Sequence, residues 1–178
     1  MVTSGVAGPT YRLGLFLDSV LKPVVQEYCK GELVKDSTDF IKELMMMEES
    51  GSSNSMNLIG TLDVTALYPS IRKELALEAL EDALRLATSF SKQQIDMILC
   101  LAKTCIENSV IHYRGKWYCS VLGLPTGGPE SGSLANIFVY FIFQKKLLSH
   151  PRIRCLDRIS NRKRSLDDVL FFMAGNIR

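Results

Sequence analysis

The sequence lacks a hydrophobic segment long enough to cross a membrane. Its most apolar stretch, Leu134–Leu148, is interrupted near the end by Lys145 and Lys146, whereas a membrane-spanning helix needs about 20 consecutive apolar residues. No secretory signal peptide opens the chain. We therefore expect a soluble, intracellular protein, in the nucleus or the cytoplasm, that does not bind a membrane.

Cysteine and histidine are sparse and are not grouped as metal ligands. The five cysteines are scattered along the chain, and the two histidines, His112 and His150, stand alone. An odd number of cysteines without metal-type spacing favours reduced thiols in a reducing compartment.

A strong net charge of either sign is also missing. The formal net charge is +2, which is too weak by itself to indicate a polyanionic partner. The basic residues are nevertheless spread unevenly, and they crowd the segment from Arg152 to Arg164. Such a run forms either a solvated loop or a surface for backbone phosphates.

What is present has the composition of a globular domain. Hydrophobic residues make up 47% and charged residues 22% of 178 residues, a length typical of one domain. Apolar periodicity and capping signals predict helices at Tyr11–Tyr28, from Ser37 or Thr38 through Met47, at Arg72–Ala87, from Ser91 to Glu107, and at Ser133–Leu148. Strands are predicted at Leu58–Val64, Val110–Tyr113 and Lys116–Val121. Because helices and strands do not alternate regularly and no linker separates them, we predict a single α+β domain over residues 1–178.

The most informative stretch is Arg164–Phe172, RSLDDVLFF. Asp167 and Asp168 interrupt an apolar run that is typical of a buried strand. Since charged carboxylates are almost never fully buried without a partner, the pattern predicts a hairpin that presents both aspartates at its tip. The simplest alternative is an Asp-Asp turn with no chemical role, because Asp is a common turn residue.

Two further stretches carry residues suited to a ligand site. Leu62–Ile71, LDVTALYPSI, follows from a predicted buried strand that delivers Asp63. In Gly123–Phe138, GLPTGGPESGSLANIF, Gly127 and Gly128 allow a backbone to approach a ligand closely. A carboxylate at a strand end and others on a neighbouring hairpin can hold two Mg²⁺ (or Mn²⁺) ions, which prefer a few carboxylates together with substrate phosphates.

In this order the three stretches resemble motifs A, B and C of the palm of reverse transcriptases. Motif A is an aspartate followed five residues later by an aromatic, as in Asp63 and Tyr68. Motif B is Gly-Leu-Pro-Thr-Gly-Ser-Pro followed by Leu-Ala-Asn, and motif C is an aromatic-x-Asp-Asp box ending here at Asp167 and Asp168. Together with the opening segment SGVAGPTYRLGLFLDSVLKPVV, the sequences of these motifs are most similar to those of Penelope-like and related non-LTR retroelement enzymes.

The resemblance implies RNA-templated DNA synthesis, in which deoxynucleoside triphosphates extend the 3′-hydroxyl of a DNA primer on an RNA template. Asp63 and Asp167 would be the metal ligands, with Asp168 as the adjoining catalytic acid. Tyr68 would lie under the sugar of the incoming nucleotide and disfavour a 2′-hydroxyl; otherwise it is a core aromatic. Gly127, Gly128 and Asn136 would line the nucleotide and template side, or else form only a turn that leads into a helix. The basic segment would contact backbone phosphates through Arg158, Arg162, Lys163 and Arg164.

Two departures from the family pattern favour rival interpretations. Ser165 replaces the aromatic of motif C, and Glu130 places an acid where motif B usually has an apolar residue. The chain also resembles only part of a polymerase, the palm with part of the fingers and no thumb. The main alternative is therefore a retroelement remnant that has lost catalysis and at most binds nucleic acid. A weaker alternative is the palm of a DNA-templated polymerase.

Overall fold

A computed structural model describes residues 8–49, 56–87, 89–147 and 159–174. The helices are α1 (Tyr11–Tyr28), α2 (Ser37–Glu49), α3 (Leu67–Ser70), α4 (Lys73–Leu86), α5 (Lys92–Glu107) and α6 (Ser131–Phe141). The strands are β1 (Met56–Asp63), β2 (Val110–Tyr113), β3 (Lys116–Cys119), β4 (Ile159–Ser165) and β5 (Asp168–Ala174). This confirms the α+β class.

The chain divides into two compact units that are interleaved along the sequence. The first unit contains residues 1–30 and 66–141, and the second contains residues 31–65 and 142–178. The prediction of one domain over residues 1–178 stays a prediction, since each unit is built from two separate segments.

The first unit is a cluster of helices around an apolar core. Helix α1 turns its buried Leu17 and Leu21 toward α4, α5 and α6, and α4 contributes the fully buried Leu80 and Leu84. Helix α5 begins as the sequence predicts, because Ser91 and Gln94 form a reciprocal capping box. Strands β2 and β3 form the predicted hairpin.

The second unit is a three-stranded antiparallel sheet with the order β1–β5–β4, together with α2. The central strand β5 is paired on both sides and buries Val169 and Phe172. Strands β4 and β5 form the predicted hairpin, with Leu166 and Asp167 as its two-residue turn. Outside β4, the segment 32–34 adds a parallel bridge between Leu33 and Arg164.

The last predicted helix differs from the structure at both ends. Helix α6 begins at Ser131 and ends at Phe141, and a π-helical turn follows at Ile142–Leu147. The early start has a local cause, since the Ser131 N–H donates to the carbonyl of Gly128 (3.2 Å). In the second unit, the π-helical turn places the ring of Phe143 against Phe171 (centroids 6.0 Å apart). Within the described residues, no helix is both long and apolar enough to cross a bilayer.

Candidate active site

A pair of carboxylates lies at one end of the sheet in the second unit. Asp63 is the last residue of β1 and Asp168 the first of β5, and the antiparallel register places them directly opposite each other. The Val64 N–H donates to the carbonyl of Asp167 (3.3 Å), so the alternation of the ladder makes Asp63 and Asp168 a non-hydrogen-bonded pair, with closely approaching side chains. The Cβ atoms of such a pair are about 4.5–5.5 Å apart.

The two carboxylates of this pair carry like charges, which repel each other when no cation lies between them. Asp63 and Asp168 are both exposed, and like charges directly opposite on neighbouring strands destabilise a sheet. Among the residues that the structure describes, neither carboxylate has a hydrogen-bond or ion-pair partner. The pair is therefore available to a ligand with positive charge.

Asp167, the third predicted acid, lies in the turn next to this pair and is half-buried. The register thus places Asp168, rather than Asp167, opposite Asp63. The assignment of Asp63 and Asp167 as the two metal ligands stays a prediction. In the structure, Asp168 is the carboxylate that faces Asp63.

The donor set suits Mg²⁺, which proteins often bind through one or two carboxylates while substrate phosphates and water supply the other ligands. Asp63 and Asp168 provide two such carboxylates on an open surface. Within the described ranges, no group of three or more His, Cys, Asp or Glu side chains could hold a metal ion. The residues therefore fit a metal that arrives with phosphate ligands and do not form a closed protein cage.

A cavity of about 530 Å³ adjoins the acid pair within the second unit. Asp63 and Asp168 line it together with Ser165, and Phe40 of α2 contributes apolar surface. Asp36 also lines the cavity. Its carboxylate, however, accepts a hydrogen bond from the N–H of Asp39 (2.9 Å) and so stabilises the start of α2. A substrate group that reaches the acids would have this cavity beside it.

In the first unit, the end of motif A at Tyr68 contacts the loop of motif B. Tyr68 is half-buried in α3, and its carbonyl accepts the N–H of Leu124 (2.9 Å). A Cβ atom built on Gly132, near the start of α6, would lie 4.0 Å from the Tyr68 hydroxyl. Tyr68 is thus held against motif B through its backbone, and its hydroxyl group lies near Gly132. That its ring faces the same cavity as Asp63 stays a prediction.

The motif B residues are placed around the beginning of α6. Gly127 and Gly128 are half-buried in the loop, and a Cβ atom on Gly128 would lie 2.8 Å from both Glu130 Oε1 and Ser131 Oγ. A side chain at position 128 would therefore require the Glu130 and Ser131 side chains to move. Asn136 is half-buried in α6, and its carbonyl accepts a hydrogen bond from Cys29 Sγ (3.7 Å). The nucleotide-binding roles of these residues stay predictions.

Glu130 does not place an exposed negative charge beside the site. Its side chain is 3% exposed, and Gly14 of α1 leaves the space that the carboxyl group occupies. Burial raises the pKa of Glu130, a hydrogen bond to its own backbone opposes part of that rise, and Asp18 raises it further. Since the charged form is disfavoured, this departure from the family pattern is compatible with a polyanionic substrate.

The raised pKa of Glu130 predicts a pH-dependent stability. The stabilisation from the neutral carboxyl group is complete below the usual pKa of 4.5 and is lost as the pH rises through the higher pKa of the folded protein. We expect Glu130→Gln to flatten this part of the curve of unfolding free energy against pH, measured by urea denaturation. The exposed Glu78→Gln serves as the control and should keep the wild-type slope. Parallel curves for wild type and Glu130→Gln would contradict the assignment.

The basic segment is placed differently from what the sequence predicts. Arg162, Lys163 and Arg164 are buried in β4, at 6%, 7% and 1% exposure, respectively. Arg162 pairs with Glu32, and Lys163 pairs with Glu43. The burial of these side chains and the ion pairs of Arg162 and Lys163 do not favour contact of their charges with a phosphate backbone. The phosphate contacts of Arg162, Lys163 and Arg164 stay a prediction. Arg158 lies outside the described residues.

Two features of the site cannot be predicted from the sequence. The burial of the basic strand depends on acids that are distant in sequence, and no pattern within ISNRKRS indicates it. Asp63 lies opposite Asp168 because of the register in which β1 and β5 pair, and this register cannot be read from the sequence. One available signal is the apolar character of β5, which favours a buried strand in the interior of a sheet.

The mixture of helices with a three-stranded antiparallel sheet fits a partial polymerase palm fold of the reverse-transcriptase-like type. The chain is similar to apo telomerase from Candida tropicalis truncated from its C-terminal domain, with a TM-score of 0.68 and 13% identity over 94% of this chain and 36% of that one. It is also similar to telomerase from Candida albicans in complex with a TWJ fragment of telomeric RNA, with a TM-score of 0.64 and 14% identity over 90% of this chain and 30% of that one.

These likenesses show the fold alone, because the sequence identities are low. The chain spans about a third of the length of the telomerase chains that it matches. No protein-family model and no curated protein matches the sequence.

Proposed function

We propose that this chain is the palm, with part of the fingers, of an RNA-directed DNA polymerase of the Penelope-like or related non-LTR retroelement type. The observation that carries the proposal is the direct facing of Asp63 and Asp168 at one end of the sheet, next to a hairpin turn that holds Asp167. The order of motifs A, B and C supports the same reaction, and the reverse-transcriptase-like fold agrees with it.

In this proposal Asp63 and Asp167 hold two Mg²⁺ or Mn²⁺ ions, and Asp168, which faces Asp63 across the sheet, is the adjoining acid. When bound, such ions neutralise phosphate charge and stabilise the attacking and leaving oxygens of an in-line displacement. The contribution of the protein is position, since β1 and β5 are paired by backbone hydrogen bonds up to the two aspartates. Catalysis of phosphoryl transfer depends chiefly on positioning and electrostatic stabilisation.

The partners follow from the proposed reaction. They are an RNA template, a DNA primer and deoxynucleoside triphosphates, with Gly127, Gly128 and Asn136 on the nucleotide and template side. Because the chain spans about a third of the matched telomerases, we propose that the working polymerase is a longer polypeptide that contains residues 1–178 as one reverse transcriptase domain.

Primer extension on an RNA template with Mg²⁺ tests the proposal. We expect a version extended at both ends from the surrounding coding sequence to incorporate deoxynucleotides, and the 178-residue chain to incorporate few or none. Extension on DNA templates only would favour the weaker alternative, a DNA-templated polymerase. The absence of synthesis by the extended version on either template would contradict polymerase function.

Tyr68 should set the choice between deoxyribonucleotides and ribonucleotides. Its contacts with the motif B segment hold it in place, and removal of the ring would leave room for a 2′-hydroxyl. In a competent extended enzyme, we expect Tyr68→Val to raise the kcat/KM for ribonucleotides relative to deoxyribonucleotides by at least about tenfold, the effect of about 1.4 kcal/mol in the transition state. Tyr118→Val, on the β2–β3 hairpin, is the matched control. Equal discrimination by wild type and Tyr68→Val would remove Tyr68 from the site.

A second candidate is a catalytically degenerate remnant that binds nucleic acid. One observation favours it: Ser165 stands where motif C has an aromatic ring. This candidate predicts RNA binding without nucleotide incorporation and without a requirement for Mg²⁺. A filter-binding titration with and without Mg²⁺ distinguishes it from the polymerase.

A further inference from the structure

The hairpin turn that carries the aspartates has an unusual backbone. Leu166 has a φ of 54°, in the left-handed region, which costs a non-glycine residue roughly 1–2 kcal/mol. Leu166 comes directly before Asp167 and Asp168, so the conformation of this turn determines where both carboxylates lie. A strained residue persists only where surrounding contacts hold it, and such residues concentrate at functional sites.

Two hydrogen bonds reach the turn: the Val64 N–H donates to the carbonyl of Asp167 (3.3 Å), and a side chain, Arg164, supplies the other. Its Nη1 donates a hydrogen bond to the carbonyl oxygen of Leu166 (3.1 Å). Arg164 is the largest fully buried side chain among the described residues, at 1% exposure. A buried charged donor of this kind forms a stronger hydrogen bond than a neutral one.

Arg164 is itself held by its backbone on the outer side of β4. Its N–H donates to the carbonyl of Glu32 (2.7 Å), and its carbonyl accepts the N–H of Val34 (2.9 Å). The segment 32–34 therefore fixes the residue that supports the turn. Arg164 is also among the residues that line the cavity beside Asp63 and Asp168.

We propose that Arg164 is a positioning residue, which holds the Leu166–Asp167 turn so that the aspartates receive divalent cations in a fixed geometry. The inference rests on the proposed function for its link to catalysis, but the support of the turn is a property of the hairpin alone. Arg164 touches neither substrate nor metal in this proposal. It acts through the carbonyl of Leu166.

The neighbouring Arg162 provides a matched control. It lies on the same strand, is buried to a similar extent, and pairs with Glu32 while its guanidinium lies 4.7 Å from the ring centroid of Phe143. Its side chain therefore contacts segment 32–34 and the ring of Phe143, whereas the side chain of Arg164 donates to the turn itself. If only the loss of buried cation contacts mattered, substitution of either arginine should have the same effect. If Arg164 positions the turn, its substitution should change the turn more than substitution of Arg162.

Two measurements on Arg164→Lys and Arg162→Lys test the inference. The first is amide hydrogen exchange of residues 166–168, followed by NMR. We expect faster exchange in Arg164→Lys than in Arg162→Lys, after correction for global stability. The second is Mn²⁺ binding, followed by the EPR signal of free Mn²⁺. We expect Arg164→Lys to weaken binding about tenfold, the usual effect of losing a residue that orients a metal ligand, and Arg162→Lys to leave it unchanged.

If Arg164→Lys does not fold, the same comparison is made in a Leu166→Gly background, because glycine adopts a positive φ without strain. Equal exchange rates and equal Mn²⁺ affinities in the two lysine variants would overturn the inference. Unequal exchange would support the role of Arg164 in the turn even if the wild-type chain bound no Mn²⁺ alone, because the acid pair suits a metal that arrives with phosphate ligands. Failure of the proposed polymerase function would show in primer extension instead.

Discussion

Asp63→Asn and Asp168→Asn are each expected to reduce primer extension by at least about 10²–10³-fold in a competent extended enzyme, the usual effect of removing a preorganised electrostatic group. The two side chains face each other at the end of the sheet, so either change leaves a single carboxylate in the pair. The measurement is single-turnover incorporation on an RNA template over a range of Mg²⁺ concentrations. Asp167→Asn should also abolish extension, since its side chain adjoins the pair.

The fold should survive these substitutions. Because Asp63 and Asp168 are like charges in direct opposition, replacing one by the isosteric asparagine removes repulsion, and the free energy of unfolding should stay equal to that of the wild type or rise slightly. Activity and stability are thus expected to move in different directions, which a general loss of structure could not produce.

Asp36→Asn is the matched control for the acid pair. Asp36 lines the same cavity, but its carboxylate accepts the N–H of Asp39 at the start of α2, and asparagine caps a helix equally well. We expect nearly wild-type extension from this variant. If Asp36→Asn lost as much activity as Asp63→Asn, the effect would reflect the total charge around the cavity and not a specific pair.

Gly123→Ala is expected to lower the free energy of unfolding by about 2–5 kcal/mol, from left-handed strain and overpacking together. Gly123 has a φ of 77°, and a Cβ atom there would lie 2.6 Å from both the carbonyl oxygen of Tyr68 and the Cα of Pro69. Those partners are backbone atoms, which cannot rotate away as a side chain can. The close packing of α3 on the motif B loop therefore depends on this glycine.

Gly115→Ala isolates the steric part of that effect. Gly115 has a nearly identical φ of 75° in the β2–β3 turn, but a Cβ atom there would meet nothing within 4 Å. We expect a loss of only about 1–2 kcal/mol, from backbone strain alone. Urea denaturation of both variants gives the comparison. Equal losses would show that the motif B loop moves away from Tyr68 without cost, and the packing argument would then fail.

Several elements were predictable because their causes lie within a few residues. The boundaries of α1 follow from apolar residues at helical spacing, and the start of α5 follows from the capping box of Ser91 and Gln94. The β4–β5 hairpin was indicated by two aspartates inside an apolar run, since buried strands do not accept unpaired charge. The α+β class and the motif order are likewise properties of the chain read in sequence.

The site itself required the tertiary structure, because its contacts join residues that are distant along the chain. The opposition of Asp63 and Asp168 is a matter of strand register, and a shift of one residue would turn every side chain to the other face. The basic residues of β4 resemble a solvated run, yet Arg162 is buried because Glu32, which lies 130 positions away, compensates its charge. Local sequence determines which segments become helices and turns. Which charges become buried is decided by partners that only the folded chain brings within reach, since the desolvation of a cation is repaid only where an anion or a carbonyl lies beside it.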